Sequence, residues 1–498
     1  MNNKKKIIIV GAGPAGLTAG YVLSENGYQV DILEKNQKYV GGISRTEEYK
    51  GFRFDIGGHR FFSKSSEVNV LWNKILPKDF TVRKRKSRIF FKKKFFNYPL
   101  DIIEVVFKLG IYESLVCFFS FIKAKIFPVK NPKSYHQWIY NNFGERLYLN
   151  FFKSYTEKVW GMNCDEISAD WAAQRIKGLN FKQILVESLK KIFLLKKKDK
   201  IIKTLIDEFK YPEYGPGMMW EAARDKIISK GSNIYMNQEV TDYLYDNKSN
   251  KWEIITRNNN NNIKKFTSDI VICSAPMREV VNNIKPDMKS KEISNKLRYR
   301  DYITVAILIN SKKVLDDNWV YIHDPNIQAG RVQNYTAWSE KMAPDEKKSC
   351  LGLEYFCNKN DEFWLKNDNQ LKEIALNDLE KLSVINKDDV IDLYVVRQEK
   401  AYPVYDENYR DIVKSVSSEL KDKYKSFYLV GRNGMHKYNN QDHSMMTSIL
   451  TVENIIKNKN YDTWNVNEDA EYHEQQMYSK ERKTTLESLR FVPSSKDN

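Results

Sequence analysis

Residues Ile7 to Val10 form a short, wholly apolar run that leads straight into Gly11-Ala12-Gly13-Pro14-Ala15-Gly16. A run of this kind suits a strand buried on both faces of a parallel sheet. Each glycine after it has a steric reason: Gly11 for a tight turn, Gly13 for close approach of a ligand to the backbone, and Gly16 for a helix packed closely on the sheet. Pro14 is preset for a first helical turn, and Gly27 suits the C-terminal cap of a helix running to about Glu25. Gln29 to Leu33 reads as a second strand and ends in Glu34, whose carboxylate can accept both hydroxyls of a ribose. Strand, glycine turn, helix, strand and acid, in that order, predict a bound dinucleotide with its phosphates on the helix N-terminus.

A second glycine pair follows the second strand, in Gly41-Gly42-Ile43-Ser44-Arg45-Thr46. Another backbone approach and the Arg45 guanidinium suit the far side of a pyrophosphate. This arrangement resembles the FAD proteins of the amine oxidase and phytoene desaturase superfamily, and the resemblance implies FAD as the resident dinucleotide.

At 498 residues the chain exceeds one core, so two or three domains are expected. The expected fold class is α/β: a Rossmann-like FAD-binding domain with an inserted helical domain and an antiparallel β-sheet substrate domain. The cofactor domain is discontinuous, taking residues 1–82, 205–285 and 422–460. Residues 100–204 carry helical spacing broken at Pro128, Pro132 and Gly144, and form the helical insertion. Residues 83–99 and 286–421 are strand-rich and form the substrate sheet; 461–498 is a polar, peripheral tail. Two elements are placed closely: a hairpin with strands Ser87–Phe91 and Phe95–Tyr98 turning through Lys92–Lys94, and a closing helix Ser444–Lys457. Gly431-Arg432-Asn433-Gly434 is expected to turn out of a strand at Phe427–Val430.

Five cysteines without CxxC spacing argue against a disulfide framework and a metal site, and fit free thiols in a reducing cytoplasm. The net charge of +17 goes with an abundance of lysine rather than with any nucleic-acid module. The basic stretch Arg83 to Lys94 reads as a solvated turn, with peripheral membrane contact as the alternative. No transmembrane segment is expected, since the longest uncharged piece of the apolar region Ile102–Phe127 falls far short of the ~20 residues a span needs.

Further motifs run through the chain: Phe54-Asp55-Ile56-Gly57-Gly58-His59-Arg60, Tyr155 to Trp160, Arg175, Arg298-Tyr299-Arg300, Tyr402-Pro403-Val404-Tyr405, and Gly431-Arg432 to Tyr438 and Asp442. Singly, each has a plain structural reading; Arg298 and Arg300, for example, alternate with Tyr299 as on a half-buried strand. Together they resemble the UDP-galactopyranose mutase family over roughly residues 5 to 455. That resemblance implies His59 and Arg432 beside the flavin, and Tyr155 and Trp160 as aromatic faces for the uridine and sugar. It further implies Arg175 and Arg300 as a diphosphate clamp, with Tyr402 and Tyr438 as phenol donors, and assigns a catalytic part to His59, Arg175, Arg300 and Arg432. Cofactor contacts extend to Gly57, Gly58, Val240, Gly431 and Asp442.

The implied activity is interconversion of pyranose and furanose forms of a nucleotide sugar, with reduced flavin N5 as nucleophile, in polysaccharide biosynthesis. NAD(P)H is a candidate reductant, and oligomerisation is left open. The chain departs from the family at Gly58, where mutases tend to carry proline, and at Asn440, where they tend to carry aspartate. One extra residue separates Trp160 from Arg175. The stretch Gly431 to Ser444 is similar to a sister group of NAD(P)/FAD-dependent oxidoreductases, so net redox chemistry is the alternative activity.

Overall fold

A computed structural model describes residues 5–98, 100, 102–169, 171–172 and 208–466. All four side chains of the strand Ile7–Val10 are buried. Because neighbours on a strand point to opposite faces, Ile7 and Ile9 enter the core on one side of the sheet, and Ile8 and Val10 the core on the other. Five parallel strands share this sheet, in the spatial order Phe427–Leu429, Ile270–Cys273, Ile7–Val10, Val30–Leu33 and Asn233–Tyr235. They come from distant stretches of the chain, so the intervening residues are insertions into a Rossmann-like sheet. The helices Pro14–Glu25, Gly217–Ser229 and Gln441–Lys457 pack on one face. A smaller sheet that includes Glu239–Asp246 and Lys251–Arg257 covers the other.

A seven-stranded sheet stands against this unit, in the order Val390–Pro403, Tyr299–Ile309, Ser349–Cys357, Arg331–Asn334, Trp319–Ile322, Ser87–Phe91 and Lys94–Asn97. It is antiparallel except where Trp319–Ile322 runs parallel to Ser87–Phe91, so the expected antiparallel sheet is mixed at that pair. The strand Tyr299–Ile309 is buried along its whole length, not on alternate residues. The reason is a cover on both faces: Ile303, Val305, Ile307 and Ile309 meet the helix Asp368–Leu382 through Leu371, Ala375 and Leu379, while Tyr302, Ala306 and Leu308 meet Phe54 and Trp338.

The hairpin at Ser87–Asn97 turns on Lys92 and Lys93 alone, both in the left-handed region at φ 49° and 58°. Such a turn matches the twist of the flanking strands and makes the loop one residue shorter than expected. On the hairpin's apolar face, Ile89, Phe91 and Phe96 pack against Phe143, Leu147 and Phe151 of the helical region. That region contains Ile102–Leu109, Ile111–Ile126, Tyr135–Phe143 and a continuous helical stretch from Glu145 to Trp160. Tyr148–Lys153 within this last stretch is a π-helical turn, a feature often found beside functional sites. Two boundaries differ from the sequence expectation. Gly431–Gly434 is a single helical turn, and the last helix starts at Gln441, where the Asn440 N–H meets His443 Nδ1 at 3.2 Å. Arg175, residues 173–204 of the expected helical insertion and 467–498 of the tail lie outside the described residues.

Candidate cofactor and substrate site

Gly11 adopts a left-handed backbone at φ 95°, and its N–H donates to the Leu33 carbonyl at 2.8 Å, which folds the turn back over the second strand. Gly16 cannot carry even a methyl: a Cβ there would lie 1.8 Å from the Gly11 carbonyl oxygen. Gly13 is the N-cap of the helix Pro14–Glu25 and offers no side-chain cap. The helix-end N–H groups and their partial positive charge are therefore left without a side-chain cap, an end that suits an anion. Opposite, Gly42 approaches until its Cβ would be 3.3 Å from Gly13 Cα, and the Gly41 N–H donates to the Ala12 carbonyl at 2.7 Å. Gly431 abuts Ala15 on a third side.

Glu34 is buried at the end of the second strand. One carboxylate oxygen accepts the Ala12 N–H at 2.7 Å and the other the Asn36 N–H at 2.8 Å, and each keeps a lone pair for a ribose hydroxyl. Val240, half-buried, follows Gln238, whose N–H donates to the Glu34 carbonyl at 2.8 Å. Arg45 is held beside the Gly42 loop: Nη1 donates to the Gly42 carbonyl at 3.1 Å and Nε to Glu47 at 2.7 Å. Gln441 accepts from Trp220 Nε1 at 3.1 Å, yet its own Nε2 is buried with no acceptor. Asp442, beside it, accepts from Ser63 Oγ at 3.0 Å. A glycine cradle, an uncapped helix end, a buried acid and an orphaned amide donor fit a dinucleotide.

The chain then kinks at Gly57, φ 96°, where a Cβ would lie 3.1 Å from Tyr302 Oη. The space next to Gly58 is filled by Gln333 and Trp338, which would meet a Cβ at 3.1 and 3.3 Å; glycine in place of proline goes with that crowding. Asp55 anchors the kink, hydrogen-bonded to Tyr211 Oη and accepting from Thr46 Oγ1 at 2.9 Å, and burial pushes its carboxyl up to about 7. His59 Nε2 stands 2.9 Å from the Ile56 carbonyl. A carbonyl only accepts, so Nε2 carries the proton. Burial, then the charge of Arg432, lowers His59 to about 4, which keeps its ring neutral at pH 7.

Next to His59, Tyr402 and Tyr438 stack with centroids 5.5 Å apart and planes 11° apart. The Arg432 guanidinium lies over both, 5.5 and 4.8 Å from the ring centres, and its Nε donates to the Asn439 carbonyl at 2.9 Å. Trp160 meets Tyr402 edge-on at 6.4 Å and Trp171 at 4.6 Å. Burial, then the Tyr438 phenol, pushes Tyr402 up to about 12, so it remains a neutral donor. Tyr155 is set apart from this stack, lying flat on His323 at 4.7 Å and edge-on to Tyr321 at 5.6 Å. Arg300 is buried, with Nε donating to the Val159 carbonyl and Nη2 to the Phe356 carbonyl, both at 2.9 Å. It thus closes the C-terminal end of the helix Ser154–Trp160, where a cation is favoured. Only Nη1 lacks a hydrogen bond, and it lies 3.6 Å from Asp361.

Sequence reasoning missed Arg331. Its Nε donates to Glu354 at 2.6 Å, and Gln333 Nε2 donates to the other carboxylate oxygen at 3.1 Å. The Arg331 charge lowers His59 and, against burial, lowers Tyr155 and Tyr402. The available signal was Glu354, a lone acid in the apolar run Ser349–Cys357, since a buried carboxylate needs a cation. Tyr405, the last residue of the Tyr402–Tyr405 motif, accepts the Tyr438 N–H through its Oη at 2.7 Å.

Fold and cradle define an α/β protein built on a Rossmann-like dinucleotide-binding sheet, and residues 9–75 match the family model for the NAD(P)-binding Rossmann-like domain. The whole fold is shared with reduced UDP-galactopyranose mutase: superposition gives a TM-score of 0.80 at 20% identity, covering 95% of this chain and 100% of that one. A 4,4'-diapophytoene desaturase from Methylomonas sp is 51% identical over 57 residues, but the chain spans only 11% of that relative's length. The dTDP-fucopyranose mutase of Escherichia coli is 25% identical over 172 residues, 33% of this chain and 44% of that relative.

Proposed function

We propose that the chain is a flavoenzyme that holds FAD in the glycine cradle and interconverts pyranose and furanose forms of a nucleotide sugar without net redox change. The reaction belongs in the cytoplasm, as a step toward cell-surface polysaccharide, with NAD(P)H as a reductant that keeps the cofactor active. One observation carries this reading: the Arg432 guanidinium lies over the stacked phenols of Tyr402 and Tyr438, and its charge reaches His59. An amine substrate would be repelled by the Arg432 cation, and a hydrocarbon would give it no counter-charge. A diphosphate satisfies it, because a planar guanidinium group binds its oxygens bidentately.

Bound in reduced form, the flavin supplies the nucleophile for the anomeric carbon. The chain's residues supply orientation and charge. Arg432, with Arg175 and Arg300 in the roles their motifs give them, offsets charge on the departing diphosphate. Tyr402 and Tyr438 donate to it as neutral phenols, Tyr155 and Trp160 offer aromatic faces to the base and sugar, and neutral His59 holds the kink without adding a competing cation. No side-chain nucleophile is required.

The second reading, a net oxidoreductase, is favoured by Asn440, which leaves this position without the mutase carboxylate. Titration of the FAD-loaded protein with UDP and dTDP, followed by tryptophan quenching, tests the site. Micromolar to millimolar binding that falls about tenfold in Arg300→Ala, with FAD retained, is expected, as is typical for loss of one charge-assisted contact. Absence of any nucleotide binding would overturn the reading in favour of the oxidoreductase.

A further inference from the structure

The helix Ile111–Ile126 is amphipathic in the wrong sense for a soluble protein. Ile111, Leu115, Phe118, Phe119, Ile122 and Ile126 are all exposed, and their spacing places them on one stripe roughly 100° wide. Tyr112 at its edge is 80% exposed, and Phe107 on the preceding helix 83%. The small and polar residues face inward instead. Cys117 and Ala124 are buried, and Ser120 Oγ accepts the Arg146 N–H at 3.0 Å. Glu113 is turned to Arg146, at 2.6 and 2.8 Å, and to Asn150 at 2.7 Å. The Arg146 hydrogen bond, the largest influence on Glu113, helps hold its carboxyl down at about 2.

Among the described residues, the charges at the rim of the stripe have one sign. Lys123 and Lys125 flank it on either side, and Lys130 follows it; all three are exposed. At the other end stands the hairpin tip, Lys92 to Lys94. Lys94 Nζ donates to the Lys108 carbonyl at 2.7 Å, and the Lys92 charge reaches Glu113. Among the described residues, Glu113 is committed to Arg146 and Glu104 to Lys108, both at 2.6 Å, and Glu145 to His136 at 3.0 Å.

We propose that this helix docks the protein on an anionic bilayer surface, lying in the plane of the headgroups with the stripe in the acyl boundary and the lysines on lipid phosphates. An apolar face with aromatic side chains and a lysine rim is the composition such interfacial helices use. The helix has only 16 residues, and no helix among the described residues is long and apolar enough to cross a membrane. A second copy of this chain packed face to face would set the lysine rims against each other, which charge complementarity disfavours. The docking does not depend on which reaction the flavin site performs.

The test is co-sedimentation of the full-length, FAD-loaded protein with two kinds of vesicle: phosphatidylcholine alone, and an equal mixture of phosphatidylcholine and phosphatidylglycerol. At least about tenfold more protein is expected with the anionic vesicles. That excess should disappear in Leu115→Glu with Phe119→Glu, and fall in the milder Phe119→Ser, both variants keeping bound FAD and their melting temperature because the positions are exposed. No sedimentation of the wild type, or sedimentation that both variants leave unchanged, overturns the proposal. A wild-type dimer that the double variant splits, without vesicle binding, also overturns it and assigns the stripe to a second copy.

Discussion

On an otherwise apolar strand, the Glu354 carboxylate has no exposed surface, and it is matched across the strand register by Arg331. Removing one member leaves the other charged and buried, at a typical cost of about 3–5 kcal/mol. Glu354→Gln is therefore expected to lower the urea-unfolding free energy by that order, and Glu354→Gln with Arg331→Met to recover most of it. Equal losses in both would mean the pair does not act as one unit. His436 gives a pH test. It is buried on the Val404 carbonyl, and burial lowers it to about 4 from 6.5. Between those values the unfolded chain binds the proton and the folded one does not, so stability falls as pH drops from about 6.5 to 4, by at most about 1.4 kcal/mol per unit. In His436→Gln that component is absent, so the unfolding free energy measured at pH 7.5, 6 and 5 should fall less steeply than in the wild type. Parallel pH curves would contradict it. His59, Tyr402 and Arg432 stand out as candidates in the sequence because each sits inside a short local motif. Arg331 does not, because its meaning lies in a partner 23 residues away.

At the scale of elements, the first strand, glycine turn and helix were legible almost to the residue, since local sterics dictate them. Gly16→Ala is expected to abolish FAD retention after gel filtration, with its Cβ driven into the Gly11 carbonyl; normal flavin absorbance would contradict the placement. Gly161 ends the helix that carries Tyr155 and Trp160, at φ 64°, and its Cβ would strike the Arg300 guanidinium at 2.5 Å. Gly161→Ala should therefore weaken UDP binding about tenfold or more, as a displaced charge contact does, while FAD stays bound. The helix Asp368–Leu382 went unread although Asn367 and Gln370 form a capping box at its start, because strand-like apolar runs on both sides dominated the pattern. The π-helical turn at Tyr148–Lys153 has no composition signal of its own.

For the whole molecule, the discontinuous parallel sheet was foreseeable from the returns at Asp269–Cys273 and Phe427–Val430, each a short apolar run followed by a turn. The meeting of the two insertions was not. Tyr402 of the large sheet touches Trp160 of the helical region and Tyr438 of the cofactor unit, and such contacts depend on tertiary packing rather than on local pattern. This three-way meeting places a cationic, phenol-lined site beside the cofactor cradle, and it is the basis for assigning the flavin to a nucleotide sugar. The most direct measurement is incubation of the FAD-loaded protein with UDP- and dTDP-hexopyranoses, with the flavin either dithionite-reduced or oxidised, following furanose formation and flavin absorbance together. Furanose product with reduced flavin only, and no net change in flavin redox state, is expected. Stoichiometric flavin reduction by the sugar, or no furanose from any nucleotide sugar, would contradict the account.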